Sequence, residues 1–407
     1  MKQHLNICNI YIFLWCLYYL QGTLYTSGGI ISQGILAILL IVSLYYFFVA
    51  NITLRTPSVI KALNIFIIML TLYGLLYAAS GKIIIIQYTG LSVGAIGYLK
   101  EIYVSILPIY AFYAFTSAGL LTETTIRKWF FVFLAVVTAS YFREERETLQ
   151  MAMMEGSMQE EFTNNTGYKF LSLIPMLFFF HKNRAIQYLA LAYIMAFIIM
   201  GMKRGAIIIG AIIVLWFFFH TLKHSPRKTR FKVVLLIAII IVATSLYVAN
   251  MLETSEYFQH RIEQTQEGAT SDRDVIFTKL FSYFINETST WNFYFGSGAN
   301  HTVAVAGNYA HNDWLELAVN QGCLGILVYL IYWICMYKTW RNSKSNSIIY
   351  SSLGAICVIF FLSTFFSMSY GSMSIYATLC LGYCLASNYV VAKHGFNLQN
   401  KYVKHEY

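Results

Sequence analysis

Charge is what this sequence has least of. Only 11% of its 407 residues are charged and 58% are hydrophobic, where a soluble domain carries about 25% charged and about 45–50% apolar residues. The mean hydropathy is +0.59. So few charges cannot cover a soluble surface, so the chain reads as a polytopic membrane protein. A cytosolic enzyme, a secreted disulfide scaffold and a disordered chain are excluded. Further absences narrow the reading. The seven cysteines lie in or beside apolar runs and never form CxxC, so neither a disulfide framework nor a thiolate metal site is indicated. No carboxylate in the apolar spans reads as a proton or ion relay, which argues against an ion- or proton-coupled transporter. The first outer loop, QGTLYTSGG, has no acid.

What is present is a series of apolar runs near 5–21, 29–50, 62–79, 101–121, 128–141, 167–181, 186–202, 205–222, 232–251, 314–337, 347–366 and 370–391. A span needs about 20 apolar residues, so about twelve transmembrane helices are expected, the first of them a retained N-terminal span. The stretch Ile83–Leu99 is apolar but glycine-rich, and fits a re-entrant or interfacial segment. With the N-terminus cytoplasmic, 18 of the 28 basic residues and only 2 of the 18 acidic ones fall on the cytoplasmic side. That is the bias the positive-inside rule requires, so the net charge of +10 is a topology signal and calls for no nucleic-acid partner. Both termini are then cytoplasmic. The chain is expected to form one membrane domain, 1–407, with two outer loops: an acidic one over 141–167 and a large polar one over 253–312. Long polar loops in so apolar a chain are usually functional.

The chemistry-bearing residues cluster around the larger loop, which holds His260, Arg261, Asp272, Arg273, Asp274, Lys279, His301 and His311. His311 immediately precedes an apolar-periodic stretch that Asn312 or Asp313 can cap. At a helix N-terminus a neutral imidazole is favoured and can accept a proton. Lys203 and Arg204 sit in a tight outer turn between two apolar runs, where the positive-inside rule disfavours cations. A phosphate is the natural reason, because a guanidinium fork matches its oxygens; snorkelling at the interface is the simpler alternative. Asp272-Arg273-Asp274 resembles a metal-diphosphate DxD, but an outer loop is the wrong compartment for a nucleotide sugar, which leaves Arg273 as the working residue. The three histidines lack the i,i+4 pair of a strong zinc site, so no metal and no cofactor is expected. FGSGANHTVAVAG supplies Gly296 and Gly298, where backbone can approach a ligand closely; no GK[ST] follows, so it is not a nucleotide-binding P-loop.

In order, MKRGAIIIG, SDRDVIF, FGSGAN and AHNDWLELAVNQGCLGILVYL resemble the C-terminal signature of the Wzy/WaaL superfamily of O-antigen polymerases and O-antigen ligases. His311, Asn312, Leu315, Gly322 and Gly325 match its closing HN-x-x-L-x6-G-x-x-G, and the likeness covers about residues 198–335. The resemblance implies a GT-C-like, inverting, metal-independent glycosyltransferase of the bacterial inner membrane with its site at the periplasmic face. The donor would be a glycan on undecaprenyl diphosphate. Arg204 and Arg273 would hold the diphosphate, His311 would activate the acceptor hydroxyl, and Lys203, Arg261, Asn312, Gly296 and Gly298 would assist in binding. The implied reaction is polymerisation of lipid-linked repeat units, with ligation of finished polymer to lipid A-core as the alternative. A chain-length regulator is a possible partner. A flippase of lipid-linked oligosaccharide is the reading from another class, but it would not need the sixty-residue outer loop.

Overall fold

The computed structural model describes residues 6–87, 90–155, 165–201, 203–223, 246, 250, 273–367 and 369–388. These residues are almost entirely helical. In chain order they form α1 (Ile7–Tyr19), α2 (Ile30–Ile52), α3 (Ser58–Ala79), a hairpin β1 (Ile84–Ile85) and β2 (Ser92–Val93), α4 (Ala95–Ile106), α5 (Pro108–Ser117), α6 (Glu123–Glu155), α7 (Thr166–Leu171), α8 (Ile174–Leu177), α9 (Arg184–Met200) and α10 (Arg204–Lys223). After the undescribed stretch come α11 (Arg273–Ser282), α12 (Thr290–Phe295), α13 (His301–Ala306), α14 (Asp313–Asn342) and α15 (Ser347–Phe366). A last helix, α16, covers 375–388.

Among the described residues, seven helices are long and apolar enough to cross a membrane: Ile30–Ile52, Ser58–Ala79, Ala95–Ser117, Glu123–Arg146, Arg204–Leu222, Asp313–Ser345 and Ser347–Phe366. Shorter apolar helices occupy Ile7–Tyr19, Thr166–Phe180 and Arg184–Met200. The chain is therefore an all-α polytopic membrane protein. The expected span at 232–251 lies outside the described residues but for two positions, so twelve spans are not reached by this count. Two sequence expectations change in detail. The acidic stretch expected as a loop from 141 begins as helix, because α6 runs on to Glu155. REERETLQMAMME is made of good helix formers without glycine or proline. The Ile83–Leu99 segment forms the hairpin and the start of α4. It is held by Tyr77, whose hydroxyl donates to the Val93 carbonyl at 2.8 Å, and by Gln87, whose N–H donates to the Gly307 carbonyl at 3.0 Å.

The bundle is locked by aromatic rings and close backbone approaches, as expected where lipid removes the hydrophobic drive between helices. Phe66 of α3 stacks on Tyr329 of α14 at 5.1 Å. Trp314 donates from Nε1 to the Thr364 hydroxyl at 2.9 Å, joining α14 to α15. At Gly382 of α16 a side-chain carbon would stand 2.7 Å from Phe112 Cβ of α5 and 2.8 Å from the Ile109 carbonyl oxygen. The ends of α3 and α15 and the starts of α10 and α14 converge on one face, capped by the hairpin and by α11, α12 and α13.

Candidate active site

The site is organised by how α14 begins. Asn312 has extended backbone and its Oδ1 accepts from the Leu315 N–H at 3.1 Å, the N-cap foreseen from the sequence. Asp313 and Glu316 fill the first turn, where the free N–H groups favour negative charge. Both carboxylates are fully buried. Asp313 accepts from the Ser369 N–H at 2.7 Å and from the Tyr329 hydroxyl at 2.6 Å. Glu316 accepts from the Thr302 hydroxyl, from Asn320 Nδ2 at 2.8 Å and from the Ala310 N–H at 2.9 Å. Two carboxylates thus stand at the start of a span. A helix made apolar by its membrane portion carries two acids at its outer end, both satisfied by hydrogen bonds: Glu316 chiefly by the segments before the helix, Asp313 by Ser369 and by Tyr329 further along it.

His311 sits between these anchors. Glu316 fixes the N–H before it, and the Asn312 cap fixes the residue after it. Its φ is +50°, one of two positive values outside glycine among the described residues. A left-handed residue other than glycine costs about 1–2 kcal/mol, and such strain persists only where the surroundings impose it. Burial lowers the His311 pKa most, and the positive charges of Arg273 and Lys203 lower it further, to about 4. The imidazole is neutral at ordinary pH.

The cations come from two other elements. Lys203 and Arg204 form the entry to α10, both partly buried. Gly205 follows, and a side chain there would stand 3.1 Å from Phe366 Cβ and closer still to the Tyr168 hydroxyl. Arg273 opens α11, and its Nη1 donates to the Phe366 carbonyl at 3.2 Å. The end of α15 and the start of α7 thus form a wall behind the cations. The structure brings together His311, Arg273 and Lys203, with Arg204 next in the chain. Arg261 lies outside the described residues.

Gly296 and Gly298 are placed elsewhere. The helix α14 is broken at Gly322, with φ +67° and ψ −161°, a conformation open essentially to glycine. The break frees carbonyls. The Ser297 N–H donates to Val319 O and the Gly298 N–H to Asn320 O, each at 3.0 Å. The Gly296 N–H is used by Asn292 O at 2.7 Å. A side chain on Gly322 would stand 2.5 Å from the Gly296 nitrogen. The two glycines therefore seat the loop on the helix break, although the space beside Gly298 stays open. His301 also has a local role: its Nε2 pairs with the Tyr283 hydroxyl at 2.9 Å, and burial, then Lys82, holds its pKa below the ordinary value.

Glu316, Asp313, Thr302 and Asn320 were missed by reading the sequence. The available signal was two acids and an amide at helical spacing inside DWLELAVN, since a polar group in an apolar helix needs a partner. Tyr168 and Phe366 gave no signal, because their contribution depends on tertiary placement.

A second polar group lies on the other side of the 308–312 segment. Burial, then the Glu101 and Glu316 carboxylates, raises the Tyr309 phenol above its ordinary pKa. Glu101 is exposed midway along α4.

No curated protein matches the chain. Residues 189–330 match the Wzy_C family model, described as O-antigen ligase. The matched third of the chain contains Lys203, Arg204, Arg273, His311, Gly322 and Gly325, while the wall from Tyr168 and Phe366 comes from outside it. The resemblance to the Wzy/WaaL superfamily read from the motifs of this region therefore holds.

Proposed function

We propose that this chain polymerises a surface polysaccharide at the outer face of the bacterial inner membrane, joining oligosaccharide repeat units carried on undecaprenyl diphosphate. The observation that carries the reading is a half-buried neutral histidine set against Arg273 and Lys203. In the reaction, an acceptor sugar hydroxyl attacks the anomeric carbon of the donor glycan. The bond from that carbon to the diphosphate oxygen breaks, and the lipid diphosphate leaves with the electron pair. Arg273, Arg204 and Lys203 stabilise the charge that develops on it. The hydroxyl proton passes to His311. A single displacement inverts the anomeric configuration.

The depressed pKa gives this arrangement a logic. In the empty site His311 is a weak base, because a second positive charge would face two cations. A bound diphosphate offsets those cations, which leaves burial as the main remaining cause. His311 then gains basicity when the donor is in place. Donor occupancy and base strength are coupled, and the acceptor is activated only when there is a glycan to receive. Arg261 is a further phosphate-binding residue in this reading, and the open space at Gly298 admits a sugar. Tyr309 and Glu101 offer hydrogen-bonding groups on the acceptor side.

The description of the matching family favours a second reading, transfer of finished polymer to lipid A-core. The deciding experiment is the surface glycan of a deletion strain, resolved on a gel together with the mass of the lipid-linked pool. A single capped repeat unit in place of a ladder supports polymerase. Full-length polymer stranded on the carrier lipid replaces it with ligase. Unpolymerised units held on the cytoplasmic leaflet reject both in favour of a flippase.

A further inference from the structure

A second polar cavity lies far from His311. It opens between the ends of α9, α10 and α15 and is lined by His181, Arg184, His220, Thr221, Ser347 and Ser351, with Gln187 and apolar side chains at its back. His220 stands sixteen residues along α10 from Arg204, about 24 Å at the helical rise. The cavity is therefore at the opposite membrane face. Its volume is about 50 Å³, against the roughly 10–15 Å³ one water needs on the same measure. It has room for a few waters or one tetrahedral anion.

The walls are built for an anion. No carboxylate lines the cavity among the described residues. Arg184 donates from Nη1 to Gln187 Oε1 at 2.8 Å, and Gln187, 1% exposed, donates from Nε2 to the Leu177 carbonyl at 2.8 Å. A buried amide anchored to the backbone thus orients the guanidinium, whose remaining donors have no hydrogen-bond partner among the described residues. His220, nine-tenths buried, shares a hydrogen bond of 2.9 Å with the Ser351 hydroxyl. His181 carries a buried Nδ1 with no partner. A preset guanidinium with unused donors, beside two imidazoles and the Ser347 hydroxyl, matches the oxygens of a phosphate, while the Ser351 hydroxyl donates to the Ser347 carbonyl. The location adds to this. α9 and α15 start here and α10 ends here, so the cavity sits at the membrane–water boundary, the depth of lipid phosphates.

We propose that this cavity is a phosphate-binding site on the face opposite the candidate active site, filled by the phosphate of an anionic lipid headgroup or by free inorganic phosphate. The test uses the full chain, purified in neutral detergent and reconstituted in phosphatidylcholine nanodiscs with or without phosphatidylglycerol. Thermal unfolding and native mass spectrometry are read for lipid, and unfolding against inorganic phosphate is read in detergent. Stabilisation by phosphatidylglycerol alone, with retained lipid in the mass spectrum, identifies a headgroup site. Stabilisation by inorganic phosphate as well identifies a site open to the water phase. In either case Arg184→Gln weakens the response roughly tenfold, the size expected for one charge-assisted hydrogen bond, while Arg184→Lys keeps part of it. Should Arg184→Gln fail to fold, His181→Ala tests the same space from a partly exposed position and should weaken binding too. Neither ligand stabilising the wild type, or variants that respond as fully as it does, would overturn the proposal.

Discussion

His311 and Glu316 do different work, and substitutions separate them. His311 needs a left-handed backbone as well as an imidazole. Asparagine tolerates that backbone better than most residues, so His311→Asn should insert and melt like the wild type yet form no polymer. Normal glycan from it would remove His311 from the chemistry. For pH, the folded-state pKa of about 4 lies below the ordinary histidine value of about 6.5. The unfolded chain therefore binds the proton first, and the stability this histidine contributes is lost as pH falls from about 6.5 through about 4. Activity should follow the same neutral form. The acid limb of kcat/KM, which reports the free enzyme, is expected near pH 4. The acid limb of kcat should lie higher, because the bound diphosphate offsets Arg273 and Lys203. Coincident limbs would refute the coupling between donor and base. Glu316→Gln puts an amide where only acceptors fit. One Glu316 oxygen takes the Ala310 N–H and the other takes Asn320 Nδ2, so either orientation of the new amide sets a donor against a donor. The Asn320 amide cannot turn to relieve this, since its Oδ1 accepts the Thr302 N–H at 3.0 Å. A cost of about 1–3 kcal/mol is expected, read as a lower unfolding temperature and a displaced His311.

Among the elements, α14 carries the most information. The sequence reading left its cap between Asn312 and Asp313 and noted the Gly322 and Gly325 spacing, but could not say what the glycines were for. Periodicity reports a continuous helix across 313–337, and the break at Gly322 is a tertiary event visible only with the FGSG loop seated on it. Gly322→Ala places a methyl group 2.5 Å from the Gly296 nitrogen and 2.6 Å from the Tyr294 carbonyl carbon, in a backbone region costing about 1–3 kcal/mol for any side chain. Loss of the loop's seat, and of polymer, is expected while the chain still inserts. Limited proteolysis at the 296–300 segment should rise, and an unchanged digest with normal polymer would count against the seating role. The weaker sequence expectations failed for a related reason. Hydropathy saw 141–155 as polar and therefore as loop, although polarity and helicity are independent; the residues there are simply a helix that has left the apolar layer.

The whole molecule is legible in its charge distribution more than in its motifs. Hydropathy recovered the apolar helices, and the asymmetry of lysine and arginine gave an orientation. That orientation makes a direct prediction. In a cysteine-replaced background, a membrane-impermeant thiol reagent added to spheroplasts should label Thr290→Cys and spare Ser345→Cys until the membrane is permeabilised; the reverse pattern would invert the topology. In the proposed reaction the charge of the diphosphate is met by Arg273, Arg204 and Lys203 rather than by a metal. Polymer formation should accordingly survive EDTA, and its loss would call for a metal held elsewhere. The break in α14 has a consequence at this scale. Residues 313–321 are tied by Glu316 and Asn320 to Thr302 and Ala310, and by Asp313 to Tyr329 beyond the break. That bond and the seated loop staple the two sides of Gly322, so the bent helix should keep its shape when a thicker or thinner membrane tilts it, and His311 its setting. Polymer synthesis should vary little with the acyl-chain length of the surrounding lipid.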